Sequence, residues 1–192
     1  MTLRAIAFDL DDTLLDTGHA LVAWVRAAGY DIPDGDLALG ARLPPEAVDA
    51  WHALERHSPA PLVPGALEAC RAAAATGARL YVVTAREPSQ RASALDMVAA
   101  KLPGLFEDVI CVGQSRPKSA ALRRIGAGLF TDDTPRHVLD AEAAGIPSIL
   151  FGDLPWNAGV AHARRAPTWA EGVPMLRTAA SVPEQAAPRR QR

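Results

Sequence analysis

The stretch Phe8-Asp9-Leu10-Asp11-Asp12-Thr13-Leu14 follows directly on the apolar run Leu3–Phe8. A short apolar run predicts a buried strand, so three carboxylates stand immediately after the end of that strand. Like charges this close resist joint ionisation, and a bound divalent cation is the usual way to offset them. An alternative is a turn rich in capping residues, because Asp and Thr favour turns and helix starts. The stretch therefore predicts a strand that ends in a cation-binding loop, with a capped turn as the alternative.

A second acidic stretch, Phe130-Thr131-Asp132-Asp133-Thr134, follows another apolar run and precedes a helix predicted to begin at Pro135. Ligands bind doubly wound sheets at the carboxyl ends of the strands, so the two acidic loops are expected to meet there. Helix capping by Thr134 and a favourable dipole contact of Asp133 form the alternative explanation. That alternative gives no reason for Asp132.

Short apolar runs alternate with helical patterns along most of the chain. The runs predict strands covered on both faces, as in a parallel sheet; they are Leu3–Phe8, Leu80–Val83, Val109–Val112, Gly128–Phe130 and Ser148–Phe151. Proline near the start and glycine past the end mark several of the helical patterns, which are Pro64–Ala75, Pro88–Ala100, Pro117–Ile125, Pro135–Ala144 and a final helix near Trp169–Leu176. This alternation predicts an α/β fold with a doubly wound parallel sheet.

The alternation is interrupted once, between the first strand and Pro64. Residues 15–62 contain no clear strand but two amphipathic helical patterns, Ala20–Ala28 and Pro45–His57. They predict a small helical cap inserted after the first strand, and residues 1–14 and 63–177 then form the core. Residues 178–192 are mainly Ala, Pro, Gln and Arg, have little to bury, and are expected to be a disordered tail.

The composition argues against several classes of partner. The 192 residues carry 20 basic and 22 acidic side chains, a formal net charge of -2, so a nucleic-acid polymer is not expected to bind by charge. No apolar run reaches the roughly 18 residues that span a bilayer, and the N-terminus lacks the pattern of a signal peptide. Cys70 and Cys111 are expected to be free, buried thiols. These features predict a cytoplasmic protein without a membrane partner, and they leave its oligomeric state open.

Two single residues between the acidic stretches also carry information. Lys118 is one of only two lysines, the other being Lys101, and it stands in the first turn of a predicted helix, where the helix dipole disfavours a cation. An ion pair or a phosphate contact would offset this cost, and a solvated surface lysine is the alternative. Thr84 places a hydroxyl at the end of the second predicted strand, where a lone threonine is most often structural.

Four features of the sequence, taken together, resemble the four motifs of the haloacid dehalogenase-like superfamily of phosphatases. They are Asp9-Leu10-Asp11-Asp12-Thr13, Thr84, Lys118 and Asp132-Asp133. These motifs are Asp-x-Asp, then Ser or Thr, then Lys, then an acidic pair. The resemblance covers residues 1–151 and implies a Rossmann-like sheet with a cap, the fold that periodicity also predicts. The segment 15–62 occupies the position of the superfamily's first cap type.

The resemblance implies a Mg²⁺-dependent phosphomonoester hydrolase. Asp9 would attack the phosphorus and form an aspartyl-phosphate. Asp11 would protonate the leaving oxygen and then activate water, for which neighbouring carboxylates should raise its pKa. Mg²⁺ would bind Asp9, Asp132 and the backbone carbonyl of Asp11, with Asp133 as an outer partner. The phosphate oxygens would be bound by Thr84, Ala85 and Lys118.

The downstream part of the chain is similar to phosphatases of the 5′(3′)-deoxyribonucleotidase type. The similar segments are Asp132–Pro135 and Ile149–Asn157, together with Arg164-Arg165 and Trp169. This similarity implies a nucleoside monophosphate as the substrate. The alternatives are a phosphatase or phosphomutase of sugar or other small organic phosphates, and a receiver-like phospho-accepting module. Receivers place their acidic pair at the first strand and their acceptor at the third, whereas the acids of this chain follow the first and fourth.

Aromatic residues of the predicted cap could stack on a base: Trp24, Tyr30 and Trp51. Trp24 and Trp51 also lie at helical spacing among apolar neighbours, which favours a position in the core. His19, near the expected hinge between cap and core, is either a substrate contact or a surface residue.

Overall fold

The computed structural model describes residues 5–30, 46–47, 50–51, 54 and 60–181. Its strands are β1 (Ala5–Phe8), β2 (Arg79–Thr84), β3 (Phe106–Cys111), β4 (Ala127–Asp132), β5 (Ser148–Phe151) and β6 (Arg165–Ala166). All of them pair in parallel, in the order β3-β2-β1-β4-β5-β6. The predicted α/β fold with a doubly wound, Rossmann-like parallel sheet is confirmed.

Helices cover both faces of the sheet. They are α1 (Thr17–Ala27), α2 (Ala66–Ala74), α3 (Arg91–Lys101), α4 (Ser119–Ile125), α5 (Pro135–Ala143) and α6 (Trp169–Ser181), and a 3₁₀ turn at Pro88–Gln90 precedes α3. One apolar cluster joins the sheet to α2, α3 and α6, and a second joins it to α4 and α5. Strand β1 lies between β2 and β4 and is buried throughout. A strand covered on both faces must be apolar at successive positions, which is why β1 does not alternate in polarity.

The indole of Trp169, at the start of α6, connects this helix to the loop after β1. It stacks on Phe151 with ring centroids 4.4 Å apart and contacts Phe8 at 5.8 Å. Its Nε1–H donates to the carbonyl of Thr13 at 3.1 Å. A Cβ atom on Gly65 would lie 3.0 Å from the Cβ of Trp169, and Gly65 has a φ of +85°, so both space and conformation require glycine there.

The observed elements extend beyond several predicted boundaries. Strand β3 begins three residues before Val109 because the side chains of Glu107 and Asp108, which interrupt the apolar run, bond Tyr81 and Arg91 at the edge of the sheet. The two-residue strand β6 was not predicted, since it is too short to form an apolar pattern.

Helix α6 continues to Ser181, past residue 178, where the disordered tail is predicted to begin. The rest of that segment, residues 182–192, lies outside the described residues. Cys70 and Cys111 are free, as predicted, but only Cys70 is fully buried. No helix in the described part of the chain is both long and apolar enough to cross a bilayer.

The predicted cap is described only in part. Helix α1 begins at Thr17, three residues before the predicted start, and buries Val22 and Val25. Residues 46–47 and 50–51 are helical and Leu54 is in a turn; the other residues of the second predicted helix lie outside the described part of the chain. The indole of Trp24 lies 5.9 Å from that of Trp51, which is 4% exposed. Trp51 is therefore buried, as the core interpretation requires, whereas Trp24 is half-buried against it, and the domain boundaries stay a prediction.

Candidate active site

The two acidic loops meet because β1 and β4 are neighbours in the sheet. Phe8 is paired with Thr131, and the backbone N–H of Asp9 donates to the carbonyl of Thr131 at 2.8 Å. Both strands therefore end side by side at the carboxyl edge, where parallel sheets bind ligands. One carboxylate oxygen each from Asp9, Asp132 and Asp133 lies within 4.8 Å of the others.

Lys118 stands between the two loops with a fully buried side chain. Its Nζ donates to Asp9 Oδ1 at 2.5 Å and to Asp132 Oδ2 at 2.7 Å. Lys118 immediately precedes α4, at a helix end that disfavours a cation, and the two carboxylates offset this cost. The solvated-surface alternative for Lys118 is therefore wrong.

Burial and charge shift the pKa values of these groups in different directions. Burial raises the pKa of Asp9 to about 7, against the opposing charge of Lys118 and with a further increase from Asp132. Burial also raises the pKa of Asp133 well above its usual value. The pKa of Asp132 is lowered despite its burial, because Lys118 and then His137 stabilise the carboxylate. The cluster thus carries more negative charge than its buried surroundings favour, and a cation would relieve it.

The surroundings of Asp11 differ from the sequence-based expectation. The guanidinium of Arg86 makes a bidentate pair of hydrogen bonds to this carboxylate. Its Nε–H donates to Oδ2 at 2.8 Å and its Nη2–H donates to Oδ1 at 2.7 Å. The hydroxyl of Thr17 also donates to Oδ1, at 2.6 Å. Burial would raise the pKa of Asp11, but the charge and hydrogen bonds of Arg86 hold it below its usual value. The prediction that neighbouring carboxylates raise this pKa is wrong.

Sequence reasoning missed Arg86 altogether. The signal available was its position two residues after Thr84, in the loop that follows β2. Such a position reaches the edge of the sheet where Asp11 lies, because β2 is the neighbour of β1.

The capping interpretations of the acidic stretches hold for one residue only. Asp12 is a turn residue with a φ of +57°, and its Oδ1 accepts the backbone N–H of Gly18 at 2.7 Å. Thr134 stands at the start of α5, but its hydroxyl makes no cap bond. Instead its backbone N–H donates to Asp132 Oδ1 at 2.8 Å. The remaining acids are therefore oriented toward the site rather than toward helix ends.

Residues of the segment after β5 hold the loop that carries Asp133. The indole Nε1–H of Trp156 donates to Asp133 Oδ2 at 2.6 Å, and the hydroxyl of Thr13 donates to Oδ1 at 3.3 Å. The buried amide of Asn157 donates to the carbonyls of Asp133 and Phe151, both at 2.8 Å. These contacts by Trp156 and Asn157 could not be read from the sequence, since the two residues lie more than 20 positions from Asp133.

A cavity of about 550 Å³ opens above this cluster. The predicted site residues Asp9, Asp11, Thr84, Ala85 and Asp133 line it, while Lys118 and Asp132 lie beneath them. The buried hydroxyl of Thr84 accepts the backbone N–H of Arg86 at 3.2 Å, which leaves its own proton to be donated into the cavity.

His19 lies elsewhere. Its ring contacts Asp16 at 2.6 Å, its side chain is 61% exposed, and it lines a separate cavity of about 270 Å³ that Asp12 also lines. In the described residues the surface interpretation of His19 is the better one.

No protein-family model matches the chain, and no curated protein matches it by sequence. Solved structures do match it over nearly their whole length. A haloacid dehalogenase-like hydrolase from Streptococcus pneumoniae aligns with a TM-score of 0.65 and 19% identity, over 90% of this chain and 98% of its own.

Two further similar structures contain ligands. A haloacid dehalogenase family hydrolase from Deinococcus radiodurans, with bound phosphate and sodium, has a TM-score of 0.65 and 20% identity over 92% of this chain and 96% of its own. CbbY from Rhodobacter sphaeroides, in complex with xylulose 1,5-bisphosphate, has a TM-score of 0.59 and 19% identity over 88% of this chain and 96% of its own. The chain therefore has the haloacid dehalogenase-like fold.

Proposed function

We propose that this protein is a metal-dependent phosphatase that hydrolyses monoesters of small organic phosphates through an aspartyl-phosphate on Asp9. The observation that carries the proposal is the position of the Asp9 carboxylate. It lies within reach of Asp132 and Asp133, is bonded to Lys118, and faces a cavity that could admit a phosphate ester.

The donor set fits Mg²⁺, which prefers oxygen ligands and keeps several waters. Asp9, Asp132 and the backbone carbonyl of Asp11 would hold the ion, with Asp133 close enough to bind it directly or through water. When bound, the ion would neutralise charge on the carboxylates and on the phosphoryl oxygens.

The charges of the site support a divalent ion. At full ionisation Asp9, Asp11, Asp132 and Asp133 carry four negative charges, and Lys118 and Arg86 return two. A divalent cation would cancel the remaining two, so a dianionic phosphate could enter without strong repulsion. Asp11 is ionised in this count, so it must take up a proton when the dianionic ester binds, and this is the proton that it gives to the leaving oxygen.

The proposed reaction has two steps. In the first, an Asp9 oxygen bonds to phosphorus while the bond to the leaving oxygen breaks, and that oxygen takes a proton from Asp11. In the second, water loses a proton to Asp11 and bonds to phosphorus, while the bond between phosphorus and Asp9 breaks. Lys118, the hydroxyl of Thr84 and the backbone N–H of Ala85 would bind the phosphoryl oxygens, and their fixed positions would stabilise the transition state.

Two observations support this substrate class: the residues that line the cavity and the ligand of a similar protein. The CbbY structure holds a sugar bisphosphate, which favours small phosphorylated metabolites over the nucleoside monophosphates implied by sequence resemblance. Trp24 and Trp51 pack against each other and do not line the cavity, so neither supplies a base-stacking surface there. Arg136 lines the cavity and is exposed; its contacts are His137 and the carbonyl of Gln114, so it could also bind a second negative group of the substrate.

A phosphate-release assay on a panel of esters tests the proposal. The panel includes sugar monophosphates and bisphosphates, phosphoglycolate and deoxynucleoside monophosphates, each with Mg²⁺ and with EDTA. We expect release that depends on Mg²⁺ and a higher kcat/KM for the sugar phosphates or phosphoglycolate. A higher kcat/KM for the deoxynucleotides would restore the nucleotidase interpretation. A phosphorylated protein that decays slowly without turnover would favour the receiver-like alternative, and no release from any ester would overturn the proposal.

A further inference from the structure

We propose that Arg86 is the positioning residue for Asp11: it fixes the carboxylate so that Oδ2 is the oxygen that exchanges a proton with the substrate. The inference rests on the proposed function, in which Asp11 is the acid and base of the reaction. It adds a residue outside the four motifs and a specific atom for the proton transfer.

The hydrogen bonds of Asp11 identify that atom. A carboxylate oxygen accepts about two hydrogen bonds. Oδ1 already accepts two, from Nη2 of Arg86 and from the hydroxyl of Thr17. Among the described residues Oδ2 accepts only the Nε–H of Arg86, so it retains one lone pair. The side chain of Asp11 is 29% exposed and lines the cavity, so this lone pair is the one a leaving oxygen or a water can use.

The backbone and side chain of Arg86 are both held in place. Its backbone carbonyl accepts the N–H of Gly113 from the loop after β3, and its backbone N–H donates to the hydroxyl of Thr84. Its guanidinium lies 4.0 Å from the sulfur of Met97 on α3, and its side chain is only 8% exposed. The same short segment thus presents Thr84 to the phosphate and Arg86 to Asp11. This arrangement fixes the distance between the phosphoryl group and the proton donor, which proton transfer requires.

Arginine suits this role better than lysine. Its planar guanidinium donates two parallel hydrogen bonds to one carboxylate and so fixes the plane of the carboxylate as well as its position. An ammonium group at the same place would supply charge without orientation. We therefore expect Arg86→Lys to be impaired in the same reactions as Arg86→Met, but less severely.

The test compares two esters that differ in their need for an acid. 4-Nitrophenyl phosphate has a leaving group that departs without a proton, whereas glycerol phosphate releases an alkoxide that must be protonated. For Arg86→Met we expect kcat/KM for glycerol phosphate to fall by about 10- to 100-fold, within the range of general acid catalysis, and that for 4-nitrophenyl phosphate by less than about 3-fold. The matched control is Arg91→Met, which removes a nearby arginine that contacts Asp108 and the carbonyl of Val109 rather than Asp11. It should leave both values unchanged.

A double-mutant cycle separates positioning from a structural effect. In an Asp11→Asn background, Arg86→Met should lower kcat/KM for glycerol phosphate by less than about 2-fold more, because the group that it positions is already lost. This double variant also leaves no unpaired carboxylate, so it stays testable if Arg86→Met alone unfolds. Added guanidinium at millimolar concentration should partly restore the reaction of Arg86→Ala but not that of Asp11→Asn.

The outcomes distinguish this inference from the proposed function. Equal losses on both esters, or additive losses in the cycle, would overturn the positioning role of Arg86 and leave the proposed function standing. A wild-type protein that hydrolyses the aryl ester alone would overturn the acid role of Asp11 and this inference with it. A wild-type protein that hydrolyses neither ester would overturn the proposed function itself.

Discussion

Two buried cationic side chains, Lys118 and Arg86, form ion pairs with the acidic loops of this protein in different ways. The Lys118 centre, formed by Lys118, Asp9 and Asp132, joins carboxylates from two strands and is almost wholly shielded from solvent. The Arg86 centre, formed by Arg86, Asp11 and Thr17, forks onto one carboxylate that reaches the cavity. The Lys118 centre therefore balances charge beneath the site, whereas the Arg86 centre orients a single side chain that lines the cavity.

The choice of cation in each centre follows from its shape. A compact ammonium can lie between two carboxylates and donate to both, while a guanidinium matches the two oxygens of one. The chain has arginine at nearly every basic position. Lysine at position 118 is therefore explained by the requirement for a point charge in a closed space.

The largest effect expected at the Lys118 centre is that of Asp9→Asn. This change removes the proposed nucleophile and should lower turnover by at least about 10⁴-fold, as loss of a nucleophile does in other covalent enzymes. The fold should be retained, because an amide of similar size replaces a buried carboxylate. Steady-state phosphate release and circular dichroism measure the two effects. Turnover close to that of the wild type would show that Asp9 is not the nucleophile.

Lys118→Ala should disrupt the same centre by removing the cation that pairs with Asp9 and Asp132. We expect turnover to fall by about 10²- to 10³-fold, as when other preorganised charge-stabilising groups are removed. The variant should also lose about 3 to 5 kcal/mol of stability, because Asp132 would be left buried without a cation. Kinetics and chemical denaturation provide the measurements.

The control for this change is Lys101→Ala. Lys101 lies in the last turn of α3, away from the acidic loops, and its removal should change stability by less than about 0.5 kcal/mol. Similar losses for both lysines would mean that the charge-balancing role assigned to Lys118 is incorrect.

The pH dependence of stability separates Asp9 from Asp11, because the pKa of Asp9 in the Lys118 centre is raised whereas the pKa of Asp11 in the Arg86 centre is lowered. The pKa of Asp9 is about 7 in the folded chain, because burial disfavours the charged form, against an ordinary value of 3.8. Between these values the folded chain retains a proton at Asp9 that the unfolded chain has released, so the free energy of unfolding should fall as pH rises. For metal-free protein the part due to Asp9 should approach about 4 kcal/mol between about pH 4 and 7.

Denaturation in EDTA across this pH range measures the effect, and Asp9→Asn is its control. The decline should be smaller in that variant, and added Mg²⁺ should restore stability to the wild type near neutral pH. Asp11 should not add to the decline, because Arg86 lowers its pKa. Identical pH profiles for the wild type and Asp9→Asn would contradict the raised pKa.

The smallest effect concerns Asp133, in the loop after β4, and its hydrogen bond from Trp156. Trp156→Phe removes the N–H that holds Asp133 Oδ2 and should weaken Mg²⁺ binding by about 10-fold, as loss of a partner of a metal ligand does elsewhere. Isothermal titration calorimetry with Mg²⁺ measures the affinity without reliance on turnover. Trp24→Phe is the matched control, because Trp24 contacts Tyr30 and Trp51 rather than Asp133. Equal affinities for Trp156→Phe and the wild type would remove Trp156 from the metal site.

Local patterns in the sequence were enough for much of the fold and part of the site. The apolar runs predicted the principal strands, and the acids after the first and fourth of them predicted that two loops would meet. Both inferences depend only on the residues of one segment and on a general rule for parallel sheets. The two-residue strand β6 and the start of β3 were missed because edge strands need less apolar surface than central ones.

The partners of the acids could not be predicted in the same way. The pKa of Asp11 was expected to be raised because its neighbours in sequence are acids, yet Arg86, 75 positions away, lowers it. Trp156 reaches Asp133 across 23 positions for a similar reason. Hydrogen bonds of this kind depend on which strands are adjacent and on the direction of each side chain, and neither is encoded in a single segment.

Which side chains carry charge, and at which strand ends they stand, can be read from the chain alone, because burial periodicity and residue type are local properties. Which charges pair with one another depends on the packing of the strands. The placement of β1 between β2 and β4 brings Lys118 to Asp9 and Arg86 to Asp11. The energy of a charge in a protein interior depends on the few ångströms to its nearest partner, and only folding fixes those distances.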